Sequence, residues 1–179
     1  MPKALTRTCS LLALAAALVL AAVHGRSLLA SESCRSQTEN LAATEAITLA
    51  LGEDSRPVRL ALNARQRAAG LSHLCPEVVA RTPMLFVYPD AHKPRFVGRD
   101  MHTALDLAWI DVNGRVVGIE RLAPGGAVVP ETPVVAVLEA AFGRFEHWAL
   151  EHGQLLVDPA TLTELRHRAE GLGSPFPFF

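Results

Sequence analysis

The sequence predicts a mainly β (α+β) domain, a small antiparallel β-barrel or sandwich with short helices and an appended C-terminal helix. Three observations carry that expectation. Apolar or alternating runs, AITLAL, PVRLAL, MLFVY, LDLAWID, RVVGIERL and VVAVLEA, recur between turn-forming segments, as the strands of one sheet do. Asn113-Gly114 joins two of these runs and signals a tight hairpin, because both central positions of such a turn take positive φ. Asp158-Pro159 opens ATLTELRHRAEG, which Gly171 closes, giving an N-cap, a first-turn proline and a terminal glycine. With 179 residues, half of them hydrophobic and 6% aromatic, the chain is long enough for one domain with a buried core.

Taken in order, the chain begins with Lys3 and Arg7, then an unbroken Ala/Leu-rich run over 11–23, then small residues at Gly25 and Ala30. This is the pattern of a secretory signal peptide over 1–30. The run is shorter than the roughly 20 apolar residues a bilayer span requires, so no stable membrane span is expected after cleavage. The expected location is periplasmic or secreted. Cys9 would leave with the signal, while Cys34 and Cys75 remain. An even pair in an oxidising compartment is a candidate disulfide, two separate thiols being the alternative. No CxxC is present, so neither a thioredoxin-like site nor a cysteine zinc cluster is supported. Residues 31–44 form a polar leader without sustained period, 45–157 the domain, and 158–179 the C-terminal helix and tail.

Within the domain, AITLAL and PVRLAL flank GEDSR and form a hairpin. Asn63 caps a short helix whose Gln66 completes a capping box and whose Gly70 ends it. Residues 75–83 read as a loop, MLFVY as a buried strand between Pro83 and Pro89, and DAHKPR as an exposed loop. LDLAWID then alternates an apolar face with a mixed one, and APGGAVVPETP is a Pro/Gly loop before VVAVLEA. A helix near 144–152 would turn Phe145, Trp148 and Ala149 inward and stop at Gly153. On the C-terminal helix Leu162, Leu165, Ala169 and Leu172 share a face that docks on the domain. The SPFPFF end is a loose apolar tail, since Pro175 and Pro177 cannot join a ladder.

The successive blocks RLALNARQRAAGLSHL, TPMLFVYP, FVGRDM, LDLAWIDVNGRVVGIE, VLEAAFG and a Gly-Gln-Leu-Leu-Val ending resemble, in order and spacing, the domain of unknown function 192 family over 57–157. The resemblance implies a small, mainly β, often exported domain with short helices and no established reaction. The chain also departs from the family pattern. Family members usually read Gly-Leu-Met where this sequence has Gly70-Leu71-Ser72, and Phe-Trp-Met-Lys-Asn-Thr where it has Phe96-Val97-Gly98-Arg99-Asp100-Met101. A family Pro is Ala104 here, and a late Gly-Asp is Gly153-Gln154. If that Trp-containing block builds a ligand surface, its apolar part is altered here while a basic-then-polar order persists at Arg99 and Asp100.

Net charge is −1 with basic and acidic residues nearly balanced, which removes the electrostatic footprint of a nucleic-acid binder. The ligand-binding candidates are Arg99, Asp100, His102, Asp106 and Glu139. A catalytic reading makes His102 a general base oriented by Asp100 or Asp106, with Arg99 holding an anionic group. Against it stands the ordinary solvated charge of a strand entrance. For Asp106 and Glu139 the competing reading is structural, acids accepting backbone or arginine hydrogen bonds at strand ends. His73, His92 and His102 show no metal-ligand spacing. Nucleophile-elbow and phosphate-cradling signatures are absent, and Pro124-Gly125-Gly126 reads as a turn. No cofactor or metal is implied. The function expected is a noncatalytic cell-envelope binding or accessory module for a small ligand or a protein partner. The alternative is a small hydrolase- or transferase-like enzyme using Arg99, Asp100 and His102.

Overall fold

A computed structural model describes residues 34–172. The expected signal peptide over 1–30, the first residues of the expected leader and the SPFPFF tail lie outside those residues. The chain divides into two units, Met1–Arg35 and Ser36–Phe179, and the fold is that of the second. Cys34 and Cys75 are both disulfide-bonded.

Eight strands are described: β1 (Ala46–Leu51), β2 (Asp54–Ala61), β3 (Met84–His92), β4 (Phe96–Val97), β5 (Leu105–Ile110), β6 (Val116–Leu122), β7 (Ala127–Val128) and β8 (Val134–Ala141). Five helices accompany them: α1 (Glu39–Ala42), α2 (Ala64–Ala69), α3 (Pro76–Val79), α4 (Arg144–His147) and α5 (Pro159–Gly171). A six-stranded sheet runs β1-β2-β3-β8-β5-β6, and β4 pairs with β7 in a two-stranded ribbon. The mainly β architecture with short helices and a C-terminal helix is therefore present. The sheet is open, with β1 and β6 as edges, so of the two expected forms the barrel does not form. It is also mixed: β2 and β3 run parallel. A parallel pair needs a long crossover, and α2 and α3 supply it.

Both faces of the central strands are covered. Every residue of β5 and β8 is buried, and the expected half-apolar LDLAWID is thus enclosed on its mixed face as well. Register sorts the two layers. Leu85, Leu138 and Ala108 stand opposite one another, as do Val87, Ala136 and Ile110. These join the main core with Phe145, Trp148, Leu156, Leu162, Leu165 and Ala169, placing α4 and α5 on that face. The other face presents Met84, Phe86, Leu107, Trp109, Val137 and Glu139, aligned by the same register. Phe96 covers it, meeting Phe86 edge-on at 5.0 Å between centroids and Trp109 at 5.6 Å.

Several local expectations are corrected. The 75–83 loop contains α3, started by Pro76, and DAH extends β3 across a register shift rather than joining the loop. At Asn113-Gly114 only Gly114 takes positive φ, +77°. Asp111 organises this turn: its Oδ1 accepts from the Asn113 and Arg115 backbone N–H groups at 2.9 Å, and its own N–H donates to Arg115 O. The loop is therefore three residues long with glycine at its left-handed position. α4 is a single turn, its Phe145 buried and the following Trp148 too, whereas Ala149 is exposed at φ +48°. α5 runs through Gly171 and leaves Leu172 exposed, while Leu162, Leu165 and Ala169 are buried.

Candidate functional site

On the sheet face opposite α5, a partly open cavity of about 230 Å³ is lined by the end of α2, β3, β4 and β8. Its chemistry centres on Glu139. Strand register places this acid across from Met84 and Leu107, in a layer that is otherwise apolar. The residue is 4% exposed, and its Oε2 has no hydrogen-bond partner. Burial pushes its carboxyl up to about 8, opposed only by the Leu71 backbone N–H. A buried polar atom without a partner costs roughly 1–3 kcal/mol, so this oxygen leaves a polar demand that the fold itself does not meet.

The sequence shapes the space beside it. The capping box forms, with Asn63 Oδ1 accepting from Gln66 N at 2.8 Å and Gln66 Oε1 accepting from Asn63 N at 3.2 Å. It fixes where α2 begins. α2 then ends at Gly70, whose φ of +48° carries the chain into the cavity wall. A Cβ at Gly70 would lie 3.2 Å from the Phe86 ring and 3.6 Å from Glu139 Oε2. The missing side chain thus keeps open the approach to the carboxyl.

Arg67 forms another wall. Its guanidinium donates to Leu62 O and, at 3.1 Å, to Val87 O, and sits 5.2 Å over the Tyr88 ring. Burial lowers its pKa, while Tyr88 raises it. The Tyr88 hydroxyl is pushed up in turn, mainly by burial. Arg95 lines the opening and is exposed. Val97, also exposed, and Met101 complete the wall nearest β4.

The five candidate residues are not brought together. Asp106 pairs across the sheet with Ala140, one register position from Glu139, so the two acids point to opposite faces. Asp106 accepts from Phe145 N at 3.1 Å. Burial raises its carboxyl, against the backbone N–H groups of Phe145, Gly143 and Arg144 and the charge of Arg121. This is the geometry of an acid that holds the start of α4. Arg99 and Asp100 are exposed. Asp100, at φ +60°, faces His73 rather than His102, with 3.8 Å between His73 Nε2 and Asp100 Oδ2. His102 Nε2 is buried and without a hydrogen-bond partner. None of Arg99, Asp100 and His102 lines the cavity. Among the described residues no group of three or more His, Cys, Asp or Glu side chains could hold a metal ion.

Sequence reasoning singled out Glu139 but not its companions. Arg67, Tyr88 and Arg95 read as ordinary helix, strand and loop residues, Val97 stood out only as a departure from the resembled family's block, and only the crossover between parallel β2 and β3 brings α2 over β3. The available signal was Gly70, a helix-ending glycine followed at once by apolar Leu71.

Comparison with known proteins agrees with the fold. No curated protein matches the chain. A solved structure of a proposed transcription regulator from Sinorhizobium meliloti 1021 is 22% identical, with a TM-score of 0.53 over 64% of this chain and 93% of that one. A protein of unknown function from Novosphingobium aromaticivorans is 18% identical, with a TM-score of 0.52 over 69% of this chain and 99% of that one. At these identities the likeness is one of fold. The DUF192 family, described as "Uncharacterized ACR", matches residues 47–157, the span of the sheet and its covering segments, and the chain belongs to that family.

Proposed function

We propose that the chain is an exported, noncatalytic cell-envelope module that takes up a small ligand in the cavity beside Glu139. The observation that carries this reading is the buried, partnerless Glu139 Oε2 facing a space that Gly70 keeps open. A fold stabilised for its own sake would place an apolar residue there, because a buried carboxyl with one oxygen unpartnered costs stability. The cavity, smaller than most pockets for drug-sized ligands, suits a compact molecule. Export is supported by the signal-like start of the chain and by the disulfide-bonded state of Cys34 and Cys75, which belongs to an oxidising compartment. Among the described residues no helix is long and apolar enough to cross a membrane.

A binding role is favoured over the catalytic reading because Arg99, Asp100 and His102, the residues that reading needs, stand outside the cavity. The test is a thermal-shift screen of metals, nucleotides, sugars and cell-wall fragments on three proteins: wild type, Val97→Trp and Arg99→Ala/Asp100→Ala. Val97 is exposed on β4 and lines the cavity, so tryptophan fills the space without disturbing the core. Stabilisation that survives the double alanine change and disappears in Val97→Trp is the expected result. The reverse pattern would move the ligand to the 99–102 loop and remove this reading.

A further inference from the structure

Resting on the cavity reading above, we propose that the ligand is a small amine, bound by an ammonium group at Glu139 Oε2 between aromatic walls, with any anionic end held by Arg95. Three features of the cavity select this chemistry. Glu139 Oε2 in its lining is a buried carboxyl oxygen without a hydrogen-bond partner. Its walls include Phe86, Tyr88 and Phe96, and aromatic faces attract cations in desolvated sites. Phe86 and Phe96 already meet edge to face, so an apolar stem would pack against rings held in place.

The cationic side chains of the cavity do not satisfy the acid. Arg67 is committed to Leu62 O, Val87 O and the Tyr88 ring. Arg95 is exposed at the opening, without a hydrogen bond or ion pair among the described residues, free to meet a carboxylate or similar group on the far end of the ligand. The charged and titratable groups facing Glu139 are thus Arg67 from α2, Tyr88 from β3 and Arg95 from the segment before β4. None of them supplies a cation to Oε2, whereas an ammonium ligand would.

The proton balance gives the proposal a distinctive readout. With its carboxyl pushed up to about 8, Glu139 in the empty cavity is mostly protonated at neutral pH. An incoming ammonium keeps its own three protons and favours the carboxylate. The Glu139 proton therefore passes to buffer as the ion pair forms. A neutral alcohol or amide would bind the protonated acid and release nothing, and an anion would be repelled once Glu139 ionised.

The experiment is calorimetric titration of the full chain at pH 7 with butylammonium, butanol and butyrate, each in two buffers of different ionisation enthalpy. Butylammonium is expected to bind tightest of the three, with release of about one proton per site. Glu139→Gln is expected to weaken it about tenfold or more, as loss of a charge-assisted hydrogen bond does, and to abolish the proton release. Unchanged melting of Glu139→Gln at pH 5, where the native acid is also neutral, shows that the variant is folded. Butanol or butyrate binding as tightly, in a manner blocked by Val97→Trp, would overturn the amine assignment while leaving the cavity a ligand site. Butylammonium binding without proton release would overturn it as well. Absence of binding by all three probes would overturn the amine assignment and count against the cavity itself.

Discussion

Glu139 sets the energetics of the site at the scale of single residues. Its carboxyl is pushed up to about 8 from an ordinary value of 4.5, so between those pH values the folded chain binds a proton that the unfolded chain has lost. Stability then falls as pH rises across that window, by a total on the order of 5 kcal/mol, and levels off above it. Glu139→Gln keeps the neutral form at every pH. Its melting temperature should match wild type near pH 5 and exceed it at pH 9, measured by calorimetry across the range. A wild type whose pH profile coincides with that of the variant would show that the acid ionises freely when folded. Gly70 gives a second residue-scale expectation. At φ +48° with ψ −135° its backbone lies where side chains are strained, and a Cβ would press on the Phe86 ring. Gly70→Ala should cost about 1–3 kcal/mol in chemical denaturation and narrow the cavity in the same step.

Among the elements, the caps and strand registers decide what reaches the site. The Asn63 box fixes the start of α2, and Asn63→Ala should lower stability by about 1 kcal/mol. Because α2 delivers Arg67 and Gly70 to the cavity, the same change should weaken ligand binding although Asn63 does not line the space. Asp106 acts on the other layer. Asp106→Ala leaves the Phe145 N–H without its acceptor and should cost about 1–3 kcal/mol, with ligand binding unchanged, since the sheet stands between Asp106 and the cavity. A loss of binding in Asp106→Ala with stability intact would contradict the assignment of the two acids to separate faces.

These elements also show what was legible in the sequence. The Asn63 box, the Asp158 cap and the runs of β2, β3, β5 and β8 are local, and local chemistry wrote them. The parallel pairing of β2 with β3 was not legible, because α3 is a single turn hidden in what reads as a loop, so the segment did not read as the crossover that a parallel strand needs. Closure of the sheet is likewise a long-range property. Alternation in β5 cannot tell one covered face from two. For the site, the residue types at 99–102 drew attention through their density of charge. The cavity instead joins Gly70, Val97 and Glu139, positions far apart in sequence that only the tertiary fold unites. Val97, where the resemblance to the family led one to expect a Trp, lies in the cavity wall itself, which makes Val97→Trp a sensitive variant.

Across the whole domain, two layers share one sheet. One layer is filled by α5, whose Leu162, Leu165 and Ala169 are buried in the main core and whose Arg166 donates to Pro89 O on β3. Ending the chain after Val157 should expose that apolar bed and abolish cooperative melting, which circular dichroism would register. The other layer carries the cavity beside Glu139, so the main core and the proposed binding site lie on opposite faces of the sheet. The measurement that tests the central claim most directly is a backbone amide NMR titration of the full chain with butylammonium. Saturable shifts at Gly70, Leu71, Ser72 and Val97, with His73 and Asp100 following only weakly, are the result expected. Shifts confined to 99–102 and His73 while Gly70 and Leu71 stay fixed would contradict it.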